Sequence, residues 1–295
     1  MLPELHRRIL TAVGPLDPDF ELILVEDDGG DGSWDAIVEL SHQDSRVHGI
    51  RLARNYGQHS ALLCGIRAAK GEIIVTLDDD LQNPPEEIYA LLERLEAGFD
   101  VVYGTPERQH HGLLRNLASR ITKLALQGAM GAQTASKVSA FRVFRTRLRD
   151  AFASYLSPSV NIDVLLTWGT TRFAAVTVGH APRASGQSGY TLRKLVTHAI
   201  NMMTGFSTLP LQIASVLGLA FSLFGAGILV YVFVRYLLEG SGVPGFPFLA
   251  SIIALFSGVQ LFALGIIGEY LARMHFRSMD RPPYAERTST KSRQS

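Results

Sequence analysis

Two short acidic runs hold the side chains of this chain best suited to chemistry. Asp78-Asp79-Asp80 follows an apolar run, and carboxylates two residues apart at a strand end, Asp78 and Asp80, can both reach one hard cation. Such a cation keeps positions for diphosphate oxygens and neutralises the charge that develops on a departing diphosphate. Acidic turns after strands also arise for structural reasons alone, so both readings stand at this point. The second run, Glu26-Asp27-Asp28-Gly29-Gly30-Asp31-Gly32, is less distinctive. Acidic-glycine turns commonly cap the helix that follows, a duty open to Ser33 or Asp31 here.

The elements that must carry these runs are written in the hydrophobic pattern. Residues 21–25 form a continuous apolar run of the kind found in strands buried on both faces. The pattern predicts a helix over 33–40, strands over 47–52, 72–77 and 99–103, and helices over 58–69 and 85–97. Strands alternating with helices imply an α/β layer on a mostly parallel sheet. In such sheets ligands sit beyond the carboxyl ends of the strands, and both acidic runs fall at that edge. That coincidence points to an active site.

Composition divides the 295 residues into two regimes. Up to about residue 205 charges are spread evenly, whereas residues 209–267 contain two charged side chains, Arg235 and Glu239. Within that stretch, residues 211–234 and 247–267 are each apolar and long enough to cross a bilayer, which needs about 20 residues. The loop between them has no basic residue. Arg183, Arg193 and Lys194 precede the pair, and Arg273, Arg277, Arg281, Arg287, Lys291 and Arg293 follow it. The positive-inside rule therefore expects both chain ends on the cytoplasmic side, with residues 273–295 as a basic tail. Residues 191–207 place cations on faces away from an apolar stripe, the pattern of a helix lying in the bilayer interface or docked on the soluble domain. A net charge of +1 removes any global basic field for nucleic acid. The single cysteine, Cys64, excludes an intrachain disulfide and fits a reducing compartment, as a buried thiol in an apolar helix. The amphipathic opening segment lacks the apolar core of a signal peptide.

Taken together, the spacing resembles family 2 glycosyltransferases of the GT-A fold, in particular the group that transfers sugars to polyprenyl phosphates. "LILVEDDGGDGSWDAI" and "LARNYGQHSALLCGIRAAKGEIIVTLDDDLQNPPEEI" carry the resemblance most specifically, and "SAFRVFRTRL" and "HAPRASGQSGYTLRKLVTHAINMMTGFSTLPL" extend it to the membrane segments. The resemblance implies a GT-A domain over residues 1–190, then the interfacial helix (191–207), the membrane hairpin (208–272) and the tail. It implies Mg2+ or Mn2+ at Asp78, Asp80 and Gln82, and donor contacts at Glu26, Asp27, Asp78, Asp79 and Gln82. Arg54, Asn55 and Gly57 then belong to a site loop or to a plain turn. Arg142 or Arg145 would meet phosphate near the acceptor site, and Arg183, Ser188, Tyr190 and Arg193 would meet donor or lipid phosphate, the arginines through forked guanidinium donors. Arg115, Arg120 and Lys123 would form a cationic lip for the lipid.

The resemblance further implies a nucleotide-sugar donor, a polyprenyl-phosphate acceptor, a bacterial inner membrane and a product used in cell-envelope glycans. Asp80, Arg142 and Asp163 are the expected catalytic set, with Asp163 either a base or a helix cap. Self-association through the interfacial and membrane helices is compatible with the sequence.

Three departures accompany the resemblance. The family's opening strand, roughly Val-Ile-Pro-x-Tyr-Asn-Glu, has no counterpart, because "MLPELHRRIL" matches the helix after it. That leaves an unassigned upstream start or an incomplete nucleotide pocket. The first is favoured because losing a central strand exposes two unpaired edges. Ser188-Gly189-Tyr190 lacks the cation of the usual Ser-Lys-Tyr, and Ala140 replaces an acidic residue before Phe141-Arg142. A non-catalytic membrane scaffold built on a shortened domain is the competing class. A processive polysaccharide synthase would need more membrane helices and a Gln-x-x-Arg-Trp segment.

Overall fold

The computed structural model describes residues 1–106, 138–179, 209–239 and 245–291. Helix α1 (Leu2–Val13) opens the chain with a proline in its first turn and buries Leu5 and Ile9. Strand β1 (Leu22–Glu26), helix α2 (Ser33–Gln43), β2 (Val47–Leu52), α3 (Gln58–Ala68) and β3 (Ile73–Thr76) then alternate as the pattern predicts. A short 3-10 turn (Pro85–Glu87) leads into α4 (Ile88–Glu96) and β4 (Val101–Pro106). After the undescribed stretch come β5 (Arg142–Arg145), α5 (Ile162–Gly169) and β6 (Phe173–Val178). Two long helices, α6 (Leu209–Glu239) and α7 (Phe246–Ser278), precede a last short strand, β7 (Glu286–Ser289).

The strands form two sheets, ordered β1-β2-β7 and β3-β5-β4-β6. In each sheet all strands run the same way except one: β7 is antiparallel to β2, and β5 is antiparallel to both β3 and β4. Alternation along β4 and β5 explains how the larger sheet is buried on both faces. Val101, Tyr103 and Phe144 point into one core with Leu63, Ile66 and Leu165. Val102 and Val143 point the other way, onto Ile88, Leu91 and Leu95 of α4.

Among the described residues β1 pairs with β2 alone and β3 with β5 alone, so each keeps an unpaired edge. The start of β3 is nonetheless tied to the approach to β1, since Glu21 Oε1 accepts the Gly71 N–H at 3.1 Å. The described chain has a helix, not a strand, ahead of β1, in keeping with the missing counterpart noted in the sequence.

Both apolar helices outrun the expected spans. Their membrane-length stretches are Pro210–Leu238, with mean hydropathy 2.3, and Leu255–Ser278, with mean hydropathy 1.5, and neither apolar window is buried against the protein. The helices pack through Phe221 and Phe256, whose rings meet edge-to-face at 5.9 Å. Gly225 permits this approach, because a Cβ there would lie 2.9 Å from the Phe256 ring. The sequence expected a separate tail from residue 273. Instead α7 continues to Ser278, and β7 joins the first sheet. The interfacial helix expected at 191–207 lies outside the described residues.

Candidate functional site

Three strand ends are drawn to one place by side chains. Asp27, just past β1, accepts the backbone N–H groups of Tyr56 and Gly57, one on each carboxylate oxygen and both at 2.7 Å. That pins the loop after β2. Gly57 sits at φ +91°, in the left-handed region a side chain would oppose, and it opens α3. The first residue of α3, Gln58, donates from Nε2 to Asp78 Oδ1 at 2.6 Å. The acidic runs after β1 and β3, far apart in sequence, are thus bridged by one loop.

Within the first run the charges are partnered. Glu26 is buried, accepts the Gly29 N–H at 2.7 Å, and has its Oε2 3.0 Å from Arg51 Nε, charge against charge without the alignment of a hydrogen bond. Asp28 lies 3.4 Å from Arg51 Nη2 and 3.6 Å from Arg287 Nη1. Neither Ser33 nor Asp31 is the cap: Gly32 holds the N-cap position of α2 without a side-chain cap, and Asp31, one residue earlier, accepts the Ser33 N–H at 3.0 Å. Hydrogen bonds from the Ser33 side chain, then its backbone, hold the Asp31 carboxyl below the usual range.

The second run makes a tight turn in which Asp80 Oδ1 accepts the Gln82 N–H at 3.1 Å and Leu81 stands at φ +59°. Asp28 in the first run is likewise left-handed, at φ +52°. Such strain on non-glycine residues costs on the order of 1–3 kcal/mol and gathers at ligand-binding turns. No three His, Cys, Asp or Glu side chains converge as a ready cage among the described residues. The oxygen donors present, carboxylates of Asp78 and Asp80 with the Gln82 amide beside them, still fit a hard cation completed by phosphate and water rather than by an all-protein cage.

The other expected site residues are placed differently. Arg142 and Asp163 are 2% and 3% exposed and ion-paired to each other through Arg142 Nη1 and Asp163 Oδ1. Tyr103 donates its hydroxyl to the same carboxylate oxygen at 3.1 Å. Burial pushes the Tyr103 phenol far above its ordinary value, the Asp163 charge adding to this, so the hydroxyl stays a donor. Asp163 does not cap α5; Asn161 does, accepting the Val164 N–H at 3.0 Å.

Arg145 lies at the other end of the sheet. It is in register with Ile73, at the start of β3, whereas Arg142 faces Thr76, next to the acidic turn. Its Nε is 3.9 Å from Asp100, and it lines a cavity of about 510 Å³ with Lys70, Arg147 and Arg172. Arg54 rests its guanidinium on the Tyr56 ring, 4.7 Å from the centroid. Arg115, Arg120, Lys123, Arg183, Ser188, Tyr190 and Arg193 lie outside the described residues.

Three contributors had little sequence signal. Arg51 is, with His48, one of two polar residues in β2, and Gln58 reads as an ordinary helix opener. Arg287 is lost in a basic run that reads only as a topology marker.

The described structure thus joins an α/β domain, with left-handed acidic turns at its strand ends, to two helices long and apolar enough to cross a membrane. The sequence model of "Glycosyl transferase family 2" matches residues 1–155. The undecaprenyl-phosphate 4-deoxy-4-formamido-L-arabinose transferase of Aeromonas hydrophila subsp. hydrophila is 34% identical over 286 residues, 96% of this chain and 88% of the relative. The protein of the same name from Pseudomonas paraeruginosa is also 34% identical, over 96% of this chain and 84% of its own. Among solved structures, glucosyl-3-phosphoglycerate synthase from Mycobacterium tuberculosis, in complex with Mn2+, UDP-glucose and phosphoglyceric acid, aligns with a TM-score of 0.47 at 16% identity, over 67% of this chain and 71% of that one. This chain belongs to glycosyl transferase family 2. It is a glycosyltransferase, and its α/β domain and the two apolar helices stand as the sequence implied.

Proposed function

We propose that this enzyme transfers a sugar from a nucleotide-sugar donor to a polyprenyl phosphate at the cytoplasmic face of a bacterial membrane. Relatives covering nearly the whole chain are named for transfer to undecaprenyl phosphate. The observation that carries the reading is the bridge from Asp27 through the 56–58 loop to Asp78, which gathers both acidic turns into one site.

The lipid phosphate oxygen attacks the anomeric carbon, the bond to the donor diphosphate breaks, and nucleoside diphosphate leaves. A phosphate monoester is already anionic at neutral pH, so the nucleophile needs no base. Asp163, held by Arg142 and Tyr103, is then a positioning residue under the site rather than a proton acceptor. Arg142 does the same from β5, and Arg145 serves the far edge of the sheet. Asp78 and Asp80, with Gln82, would hold Mg2+ or Mn2+, which supplies charge neutralisation to the diphosphate when bound. The chain's own groups contribute orientation and preorganised charge.

The last strand supports the orientation in the membrane. β7 follows both apolar helices yet pairs with β2 of the domain, so the chain returns to the side it left, as two crossings require. The basic flanks, by the positive-inside rule, support a cytoplasmic assignment for that side. The test is purified full-length protein in nanodiscs with undecaprenyl phosphate and a panel of radiolabelled nucleotide sugars. Label should pass into the organic phase with one of them. No transfer from any donor would overturn this reading, and loss of nucleotide binding with it would favour the scaffold reading.

A further inference from the structure

The strand after the membrane helices does more than pack. Asp280, at φ +47°, turns the chain out of α7, Pro283 is buried, and Tyr284 packs against the cores beneath β2 and α3. Seven residues separate the end of α7 from β7, at most about 25 Å of chain. β7 is sewn onto β2 by Ala53 N–H to Ala285 O at 2.8 Å, Thr290 N–H to Gly49 O at 2.9 Å, and His48 to Ser289 Oγ at 2.8 Å. Thr288 is in register with Arg51, the arginine that faces Glu26 and Asp28. The residue before it, Arg287, brings its guanidinium to the same Asp28 oxygen as Arg51, at 3.6 Å.

The left-handed Asp28 therefore meets two cations, one from β2 and one from the strand that follows the membrane hairpin. Its turn carries four carboxylates, Glu26, Asp27, Asp28 and Asp31, and a nucleotide diphosphate arriving there adds like charge. We infer that Arg287 is a positioning residue for the donor: it holds Asp28, and with it the 26–31 turn, in the conformation that admits the nucleotide, so the membrane anchor is coupled to the donor site through a short strap. This rests on the donor-site reading given above. Arg287 is 57% exposed, so its replacement leaves the core untouched.

The experiment uses full-length protein in detergent and the variants Arg287→Ala, Arg287→Glu and Arg287→Lys. Without donor, hydrogen exchange of the 27–32 amides should quicken at least fivefold in Arg287→Ala and more in Arg287→Glu, with the apparent Tm unchanged. With Mn2+ and the nucleoside diphosphate that wild type binds best among UDP, GDP and CDP, Kd should rise about fivefold to tenfold in Arg287→Ala. Arg287→Lys should recover most of both effects, and the wild-type Kd should approach that of Arg287→Ala at 0.5 M salt, because the contact is exposed. Unchanged exchange, or an equal Kd for Arg287→Ala and wild type, would overturn the inference and leave the proposed function standing. A loss of Tm matching the loss of affinity would make the role structural only and overturn it too. Failure of wild type to bind any of the three diphosphates would remove the donor-site reading and this inference with it.

Discussion

Replacing Asp163 by Asn separates a buried scaffold from a catalytic base. The substitution keeps the shape of the side chain and removes its charge, leaving the Arg142 guanidinium buried at 2% exposure against a neutral amide. Breaking one side of a buried pair costs about 3–5 kcal/mol. For a domain of roughly 150–250 residues each kcal/mol shifts Tm by about 2–4 °C, so the apparent Tm should fall by about 6–20 °C. Removing the whole network tells the rest. Tyr103→Phe, Arg142→Met and Asp163→Leu together exchange the pair and its hydroxyl donor for apolar groups of similar volume, which is close to neutral for buried pairs. The triple variant should regain most of the lost stability and keep sugar transfer within about tenfold of wild type. The assay is thermal unfolding by tryptophan fluorescence in detergent, paired with transfer to undecaprenyl phosphate. An Asp163→Asn protein with wild-type Tm but transfer reduced more than a hundredfold would refute this account and make Asp163 a direct participant.

Other outcomes follow from the same contacts. Burial, with the charge of Lys291 adding to it, holds the His48 imidazole below its ordinary value of about 6.5, while Glu21 and Glu286 oppose and Lys70 reinforces the shift. The folded chain then binds that proton less readily than the unfolded one, so the contribution of His48 to the β2–β7 seam is full above about pH 6.5 and is lost as pH falls. Protection of the 286–290 amides, corrected for intrinsic rates, should drop between pH 7.5 and pH 5 in wild type and stay flat in His48→Gln; equal drops would sink the assignment. Gln58→Ala cuts the bridge to Asp78 and should slow transfer about tenfold, the effect of about 1.4 kcal/mol, with little change in Tm. Unaltered transfer would mean that the two turns are aligned without it. Gly225→Leu drives a side chain into the Phe256 ring and should lower the stability of the helix pair by about 1–3 kcal/mol, read as a lower apparent Tm in detergent. No change would show that the helices do not pack there.

The fold was legible as far as β4 because each strand there is an apolar run bounded by turn residues, and each helix has its own stripe. Beyond it the local pattern no longer sets direction. β5 follows a long connection and inserts antiparallel between β3 and β4, a choice made by tertiary packing. β7 reads Glu-Arg-Thr-Ser, four polar residues with no strand signal, and exists because β2 offers it an edge. The site was legible where chemistry and spacing coincide, in the acidic runs at the strand ends. What no spacing could convey is which carboxylates are already occupied. Each oxygen of Asp27 accepts one loop amide, so besides any ligand contact it holds the 56–57 loop in place. Arg142 and Asp163, separated by 21 positions, spend their charges on each other. Arg287 lies 259 positions after Asp28 (287 less 28) and meets it only because the chain comes back from the membrane.

The central claim is that the turn from Asp78 to Gln82 receives the donor diphosphate together with a divalent ion. Calorimetric titration of full-length protein with a nucleoside diphosphate, with Mn2+ and then with excess chelator, tests it in wild type and in Asp80→Asn. Wild type should bind tightly with Mn2+ and at least a hundredfold more weakly without it, whereas Asp80→Asn should bind weakly in both conditions. Equal, Mn2+-dependent binding by the two proteins would contradict the account.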